Sequence, residues 1–428
     1  MKNLAMKFLL LLAAVLSASA ADKLTRDEVI AATLTPYSGP VSNGVDTATL
    51  TGKVMCGYQG WFNCEGDGAN RGWTHWVKGP GVPSPANIKV DLWPDVSELG
   101  ADEKFDTDFH FADGRTAQVF SSFKKETVLR HFRWMRECGI DGVFVQRFAG
   151  GLRGANSLSQ NNTVLANCRE GANRNGRAYG VMYDLTGLGP NRIGEVIEDW
   201  KLLRTKMKIG DDPAYIRHRG KPVVTVWGIG FSDDRKYTLA DCKQLIEFLK
   251  SDGCTVMVGV PTWWRELKHD AVSDPALHDV IAAADIVSPW AVGRLRNTND
   301  VARHAAQEIK PDIAWCADRK LDYMPVVYPG FSWHNMKGAH LDDIPRNRGQ
   351  FFWSQITAAK RAGANMIYVA MFDEVDEGTA IFKCLSKPPG ENFVTYEGLP
   401  SDYYLRLAGA AAKLMRGEIQ SDAPQPAP

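Results

Sequence analysis

The sequence predicts a (β/α)8 barrel, an α/β fold of one domain, and three observations carry that expectation. Eight short apolar runs rich in Val, Ile, Tyr and Phe alternate with longer segments of helical period. Buried parallel strands read as continuous apolar runs, and eight strand-helix units match the count of a closed barrel. The dinucleotide fingerprint of an open, doubly wound sheet is missing, since Gly187-Leu188-Gly189-Pro190 lacks a helix-opening third glycine.

The strand runs are 53–61, 142–148, 178–186, 222–230, 254–260, 284–290, 324–329 and 365–372. Helix candidates lie between them at 126–138, 193–207, 239–250, 300–308 and 347–362, with Thr238 and Thr298 placed as N-caps. The stretch 62–124 forms a long first β-α connection containing Trp73, Trp76 and Trp93. Long connections of this kind are commonly functional. Domain limits follow: a leader at 1–20, an N-terminal extension at 21–52, the barrel at 53–415 and a flexible Pro/Ala-rich tail at 416–428.

The leader reading rests on Lys2 and Lys7, the apolar run Phe8 to Leu16, and the small residues Ala18-Ser19-Ala20. That order is the pattern of a secretory signal peptide, and the run is too short to span a bilayer. Export to the periplasm or beyond the cell is therefore expected, with no membrane span. Eight cysteines in an exported chain permit disulfides, and Cys56 with Cys64 is the favoured local pair. Lys and Arg number 50 against 50 Asp and Glu, which removes the basic footprint of a nucleic-acid binder. The 13 Trp in a neutral chain suit stacking on a neutral ligand such as a sugar.

Barrel chemistry sits at the C-terminal strand ends. Those ends carry Tyr58 and Trp61, Gln146 and Arg147, Asp184, Trp227, Trp290 and Trp333. The aromatic members are stacking candidates. Arg147 and Gln146 are candidates to orient a carboxylate or bind a hydroxyl, and Asp184 to bind a hydroxyl or act as a catalytic carboxylate. The eighth end is the sharpest signal, Phe372-Asp373-Glu374-Val375-Asp376-Glu377-Gly378-Thr379, with four carboxylates in five positions. Crowded carboxylates raise one another's pKa, so one can serve as an acid while another stays a base. A solvated loop and a structural Ca²⁺ site are the alternatives, and no cofactor is required.

This segment resembles that of the glycoside hydrolase family 71/99-like proteins and, more distantly, glycoside hydrolase family 99, the endo-α-mannosidases. That family carries an F-N-E-W-x-E-G-T motif at its last barrel strand. Both glutamates, the Gly and the Thr match, while Asp373 stands for Asn and Val375 for Trp. The resemblance implies a glycosidase acting on a poly- or oligosaccharide without a cofactor. It implies Glu374 as the base on the substrate's own 2-hydroxyl and Glu377 as the acid/base, with net retention through a 1,2-anhydro sugar. It also places Asp373 beside the sugar subsite. A calcium-dependent, non-catalytic carbohydrate-binding barrel is the other class consistent with the acidic run.

Overall fold

The computed structural model describes residues 24–428, so the leader at 1–20 lies outside the described residues. Barrel strands are labelled β1 to β8 in chain order. They are β1 Val54–Tyr58, β2 Gly142–Phe148, β3 Ala178–Asp184, β4 Lys221–Trp227, β5 Thr255–Pro261 and β6 Ile286–Trp290, then the split β7 and finally β8 Ile367–Val369. All neighbouring barrel strands pair in parallel. The strand β7 consists of two short pieces: Asp322–Tyr323 pairs with β6, and Val326–Val327 pairs with β8. β8 then pairs with β1, which closes the ring. Every residue of β1 and β5 is buried, which explains why these strands read as unbroken apolar runs.

Expected helices appear at Lys125–Cys138, Ile193–Leu202, Leu239–Ser251, Thr298–His304 and Gln350–Ala362. Thr238 caps the third of these, its side chain accepting from Asp241 N while the Asp241 carboxylate accepts from Thr238 N. Thr298 is not the cap of the next helix. Asn297 is, because its side-chain oxygen accepts from both Asn299 N and Asp300 N.

Three features depart from the sequence reading. A 21-residue helix, Ala155–Asn175, lies between β2 and β3 and lacks the strong apolar face that would mark it, being rich in Asn. The first connection holds an antiparallel hairpin, Lys104–His110 with Thr116–Phe120. The tail expected to be flexible lies on the barrel helices, Trp353 Nε1 donating to Ala423 O at 3.1 Å and Tyr403 Oη to Pro426 O at 2.9 Å.

The paired Cys56–Cys64 is corrected: all eight cysteines are free thiols. Cys56 is buried inside β1, and the Cys64 thiol donates to Phe120 O at 3.2 Å. Among the described residues no helix is long and apolar enough to cross a membrane.

Candidate active site

Side chains alternate faces along a strand, so adjacent residues at a barrel strand end point in opposite directions. This sorts the candidates. Gln59, Gln146 and Asp184 line a cavity of about 640 Å³ at the C-terminal face, together with Trp61, Trp227, Trp290, Trp333, Glu374 and Glu377. Their neighbours Tyr58, Arg147 and Tyr183 face away from the cavity.

Three sequence candidates therefore stand off the cavity. Tyr58 is fully buried, its hydroxyl 2.9 Å from His131 Nδ1 and its ring stacked on Phe372. Arg147 is buried in an ion pair, its Nε and Nη2 each 2.5 Å from a carboxylate oxygen of Asp199, with a further bond to Asn162. Tyr183 donates to that same Asp199 at 2.6 Å, so the cluster ties β2 and β3 to the helix Ile193–Leu202. Asp373 is buried and accepts backbone N–H bonds from Gln59 at 2.7 Å and Gly60 at 2.9 Å. Gly60 has φ +60°, a turn that only glycine makes freely, and that turn presents both N–H groups to one carboxylate. Burial still pushes Asp373 up to about 7, with those two bonds opposing.

The two glutamates differ in how they are held. Glu374 is buried; Oε1 accepts from Gln59 Nε2 at 2.6 Å and Oε2 from Thr379 Oγ1 at 2.6 Å. Burial, then the charges of Glu377 and Asp376, raise it well above the ordinary glutamate range. Glu377 is pushed up to about 7 by burial first and Asp376 second, with Trp333, Lys89 and Lys337 acting against the rise. Arg346 fixes the loop from beneath: it is buried, donates to Gly378 O at 2.8 Å and Ala380 O at 2.7 Å, and lies over the rings of Tyr396 and Tyr404.

Around the mouth the aromatic residues are not equivalent. One face of Trp61 is covered by His75, ring centroids 3.9 Å apart and 7° from parallel, and Phe148 stacks on it as well. Trp227 lies edge-on to Trp290 and under the Arg235 guanidinium. Trp333 is 37% exposed and is the open ring of the set. Asp184 accepts from Thr186 N at 2.7 Å and is raised by burial. Gln146 donates to Tyr368 Oη at 3.0 Å.

Sequence reasoning missed Gln59 and the rim arginines Arg235, Arg294 and Arg296, each paired with an aspartate. Strict alternation from Trp61 back along β1 would have found Gln59. The arginines sit in loops after β4 and β6, where no pattern marks them. The four carboxylates of the acidic run diverge to different partners, and among the described residues no cluster of three or more His, Cys, Asp or Glu could hold a metal ion.

No protein-family model matches the chain, and no curated protein matches its sequence. Solved structures do. The endo-α-mannosidase of glycoside hydrolase family 99 from Bacteroides thetaiotaomicron superposes with a TM-score of 0.64 at 18% identity, covering 86% of this chain and 99% of that one. Its complex with bis-tris-propane gives 0.63 over the same shares. The chain shares the fold of a family 99 endo-α-mannosidase. A glycoside hydrolase-like protein also matches, with a TM-score of 0.54 at 13% identity over 89% of this chain and 98% of that one.

Proposed function

We propose that this chain is an exported glycoside hydrolase that cleaves a neutral poly- or oligosaccharide with retention, using the substrate's 2-hydroxyl as the nucleophile. The observation that carries the reading is the placement of Glu374 and Glu377 in one aromatic-walled cavity, with the raised proton affinity of Glu377 suiting an acid. A shared fold with an endo-α-mannosidase and the matching motif glutamates support it.

In this scheme Glu374 takes the proton of the 2-hydroxyl as that oxygen attacks the anomeric carbon. Gln59 and Thr379 donate to the two Glu374 oxygens and favour its charged form. Glu377 gives its proton to the departing glycosidic oxygen, so the C1–O bond breaks as the 1,2-anhydro ring forms. Water then opens that ring: Glu377 takes the water proton and Glu374 returns its proton to O2. Substrate-assisted schemes of this kind are recognised exceptions to the two-carboxylate rule.

A screen of glycans and aryl glycosides tests the proposal, read by reducing-sugar release and by NMR of the first anomer formed. Release of the retained anomer supports it; glycan binding with no release from any substrate overturns it. Asp184 lines the same cavity, so a conventional pairing of Asp184 with Glu377 is the second reading. Retained turnover by Asp184→Asn together with loss in Glu374→Gln decides for the first.

A further inference from the structure

A second cavity adjoins the one that holds Glu374 and Glu377, and the two are close in size, about 620 Å³ against about 640 Å³. It is a groove built from the loops after β4 and β5 and the start of the helix Leu239–Ser251, lined by apolar Phe231, Leu239, Leu267 and Val272 and by polar Lys268 and Ser273. Phe231 and Arg235 line both cavities.

We infer that this groove is a distal subsite for the same glycan: a chain with one unit at Glu374 and Glu377 passes over Arg235 and lays further units in the groove. The ligand class rests on the proposed function; the second place of contact does not depend on which sugar is cleaved.

The shared wall is firmly built. Arg235 Nε and Nη2 donate to the Asp233 carboxylate at 2.6 and 2.8 Å, while Nη1 donates to Thr186 Oγ1 at 3.0 Å and Tyr237 Oη at 3.1 Å. Thr186 lines the first cavity and Tyr237 the groove, so one guanidinium ties the two together. It lies over the rings of Trp227 and Phe231, 5.2 Å from each centroid. The loop after β5 has the same double role. Val272 N donates to Gly230 O and Ser232 N to Asp270 O, both at 2.9 Å, and Phe231 bridges Ala271 antiparallel, which pins this loop to the one after β4. Asp270 accepts from Arg294 Nε at 2.9 Å on the wall of the first cavity, while its neighbours Lys268 and Ser273 line the groove. Groove and cavity are thus held in one fixed relation before any ligand arrives, which lowers the ordering cost of binding across both.

The lining suits a neutral glycan. Apolar side chains meet the C–H faces of sugar rings and scattered polar groups meet hydroxyls. Asp234 and Asp274 balance Arg235 and Lys268 in charge, so the groove offers no net field for an anion or a cation. A chain that spans both cavities makes its second contact intramolecularly, and even a weak groove contact then adds to affinity.

A glycan array that carries each polysaccharide class as a ladder from disaccharide to octasaccharide tests this, read with the full chain bearing Glu377→Gln so that bound glycans stay whole. The longest members of a ladder should bind about tenfold more tightly than its shortest bound member. Ser273→Trp and Lys268→Trp, each filling the groove from an exposed position, should bring that ratio close to one. The ratio is internal to each protein, so a loss of folded material does not imitate the effect. A ratio near one before the groove is filled, or a ratio that both tryptophan variants leave intact, overturns the inference and leaves the glycosidase reading standing. Binding to no member of any ladder overturns both.

Discussion

Gln59 at the end of β1 donates to the Glu374 carboxylate at 2.6 Å, joining the first and last strands of the barrel across the site. Its own Oε1 is buried and has no hydrogen-bond partner. A hydrogen bond to a charged group is worth about 1.5–3 kcal/mol. Gln59→Leu is therefore expected to lower kcat by roughly 10- to 100-fold with the fold intact. Steady-state kinetics beside a circular dichroism melt checks it.

The open ring and the covered ring should behave differently. Trp333→Ala should weaken glycan binding by about tenfold with a much smaller change in melting temperature, because its ring is 37% exposed and carries only Phe331 at its side and Lys337 above it. Trp61→Ala should instead lower stability by about 3 kcal/mol, since His75 and Phe148 pack on it. Calorimetric titration with a glycan and denaturant melts separate the two.

Arg147 shows the limit of reading strand ends by residue type alone. Its guanidinium is committed to Asp199, so Arg147→Met leaves a buried carboxylate short of its cation and should cost about 3–5 kcal/mol in urea unfolding. A variant as stable as wild type but unable to bind glycan would restore Arg147 to the site.

The pH dependence of stability has a definite sign at Asp312. It accepts from Trp264, Arg265 and Tyr323, and burial pushes it up to about 7 against an ordinary 3.8. Between those values the folded state holds a proton that the unfolded chain has lost. Stability from this group is full below about 4 and is lost as pH rises toward 7. Relative to wild type, Asp312→Asn should become progressively more stable from pH 4 to pH 7, by up to about 4 kcal/mol, measured by urea melts at each pH. A constant difference across that range would contradict the assignment.

The barrel was legible because its strands are buried on both faces, so period and composition agree with position, as in β5 from Thr255 to Pro261. The helix Ala155–Asn175 was not, because its several Asn and its one Gln interrupt the apolar stripe; Gln160 reaches Gly60 O. At the site, the crowded carboxylates marked the segment that places Glu374 and Glu377 in the cavity lining. Tyr58, Arg147 and Asp373 were read too generously, since their commitments are to residues 15 to 314 positions away, beyond any local pattern. Arg346 went unread for the same reason: its role exists only once Gly378, Ala380 and two tyrosine rings converge on it.

The central claim is that Glu377 is the proton donor of a glycosidase. With its carboxyl near 7, kcat/KM for the wild type should fall above that pH, since the acid must be protonated to act. The most direct measurement is hydrolysis of one glycan and of a matched aryl glycoside with an acidic phenol leaving group, by wild type and by Glu377→Gln. The variant should lose on the order of 10²- to 10⁴-fold on the glycan and far less on the aryl glycoside, whose departure needs little protonation. Equal rates for variant and wild type on the glycan would contradict the account.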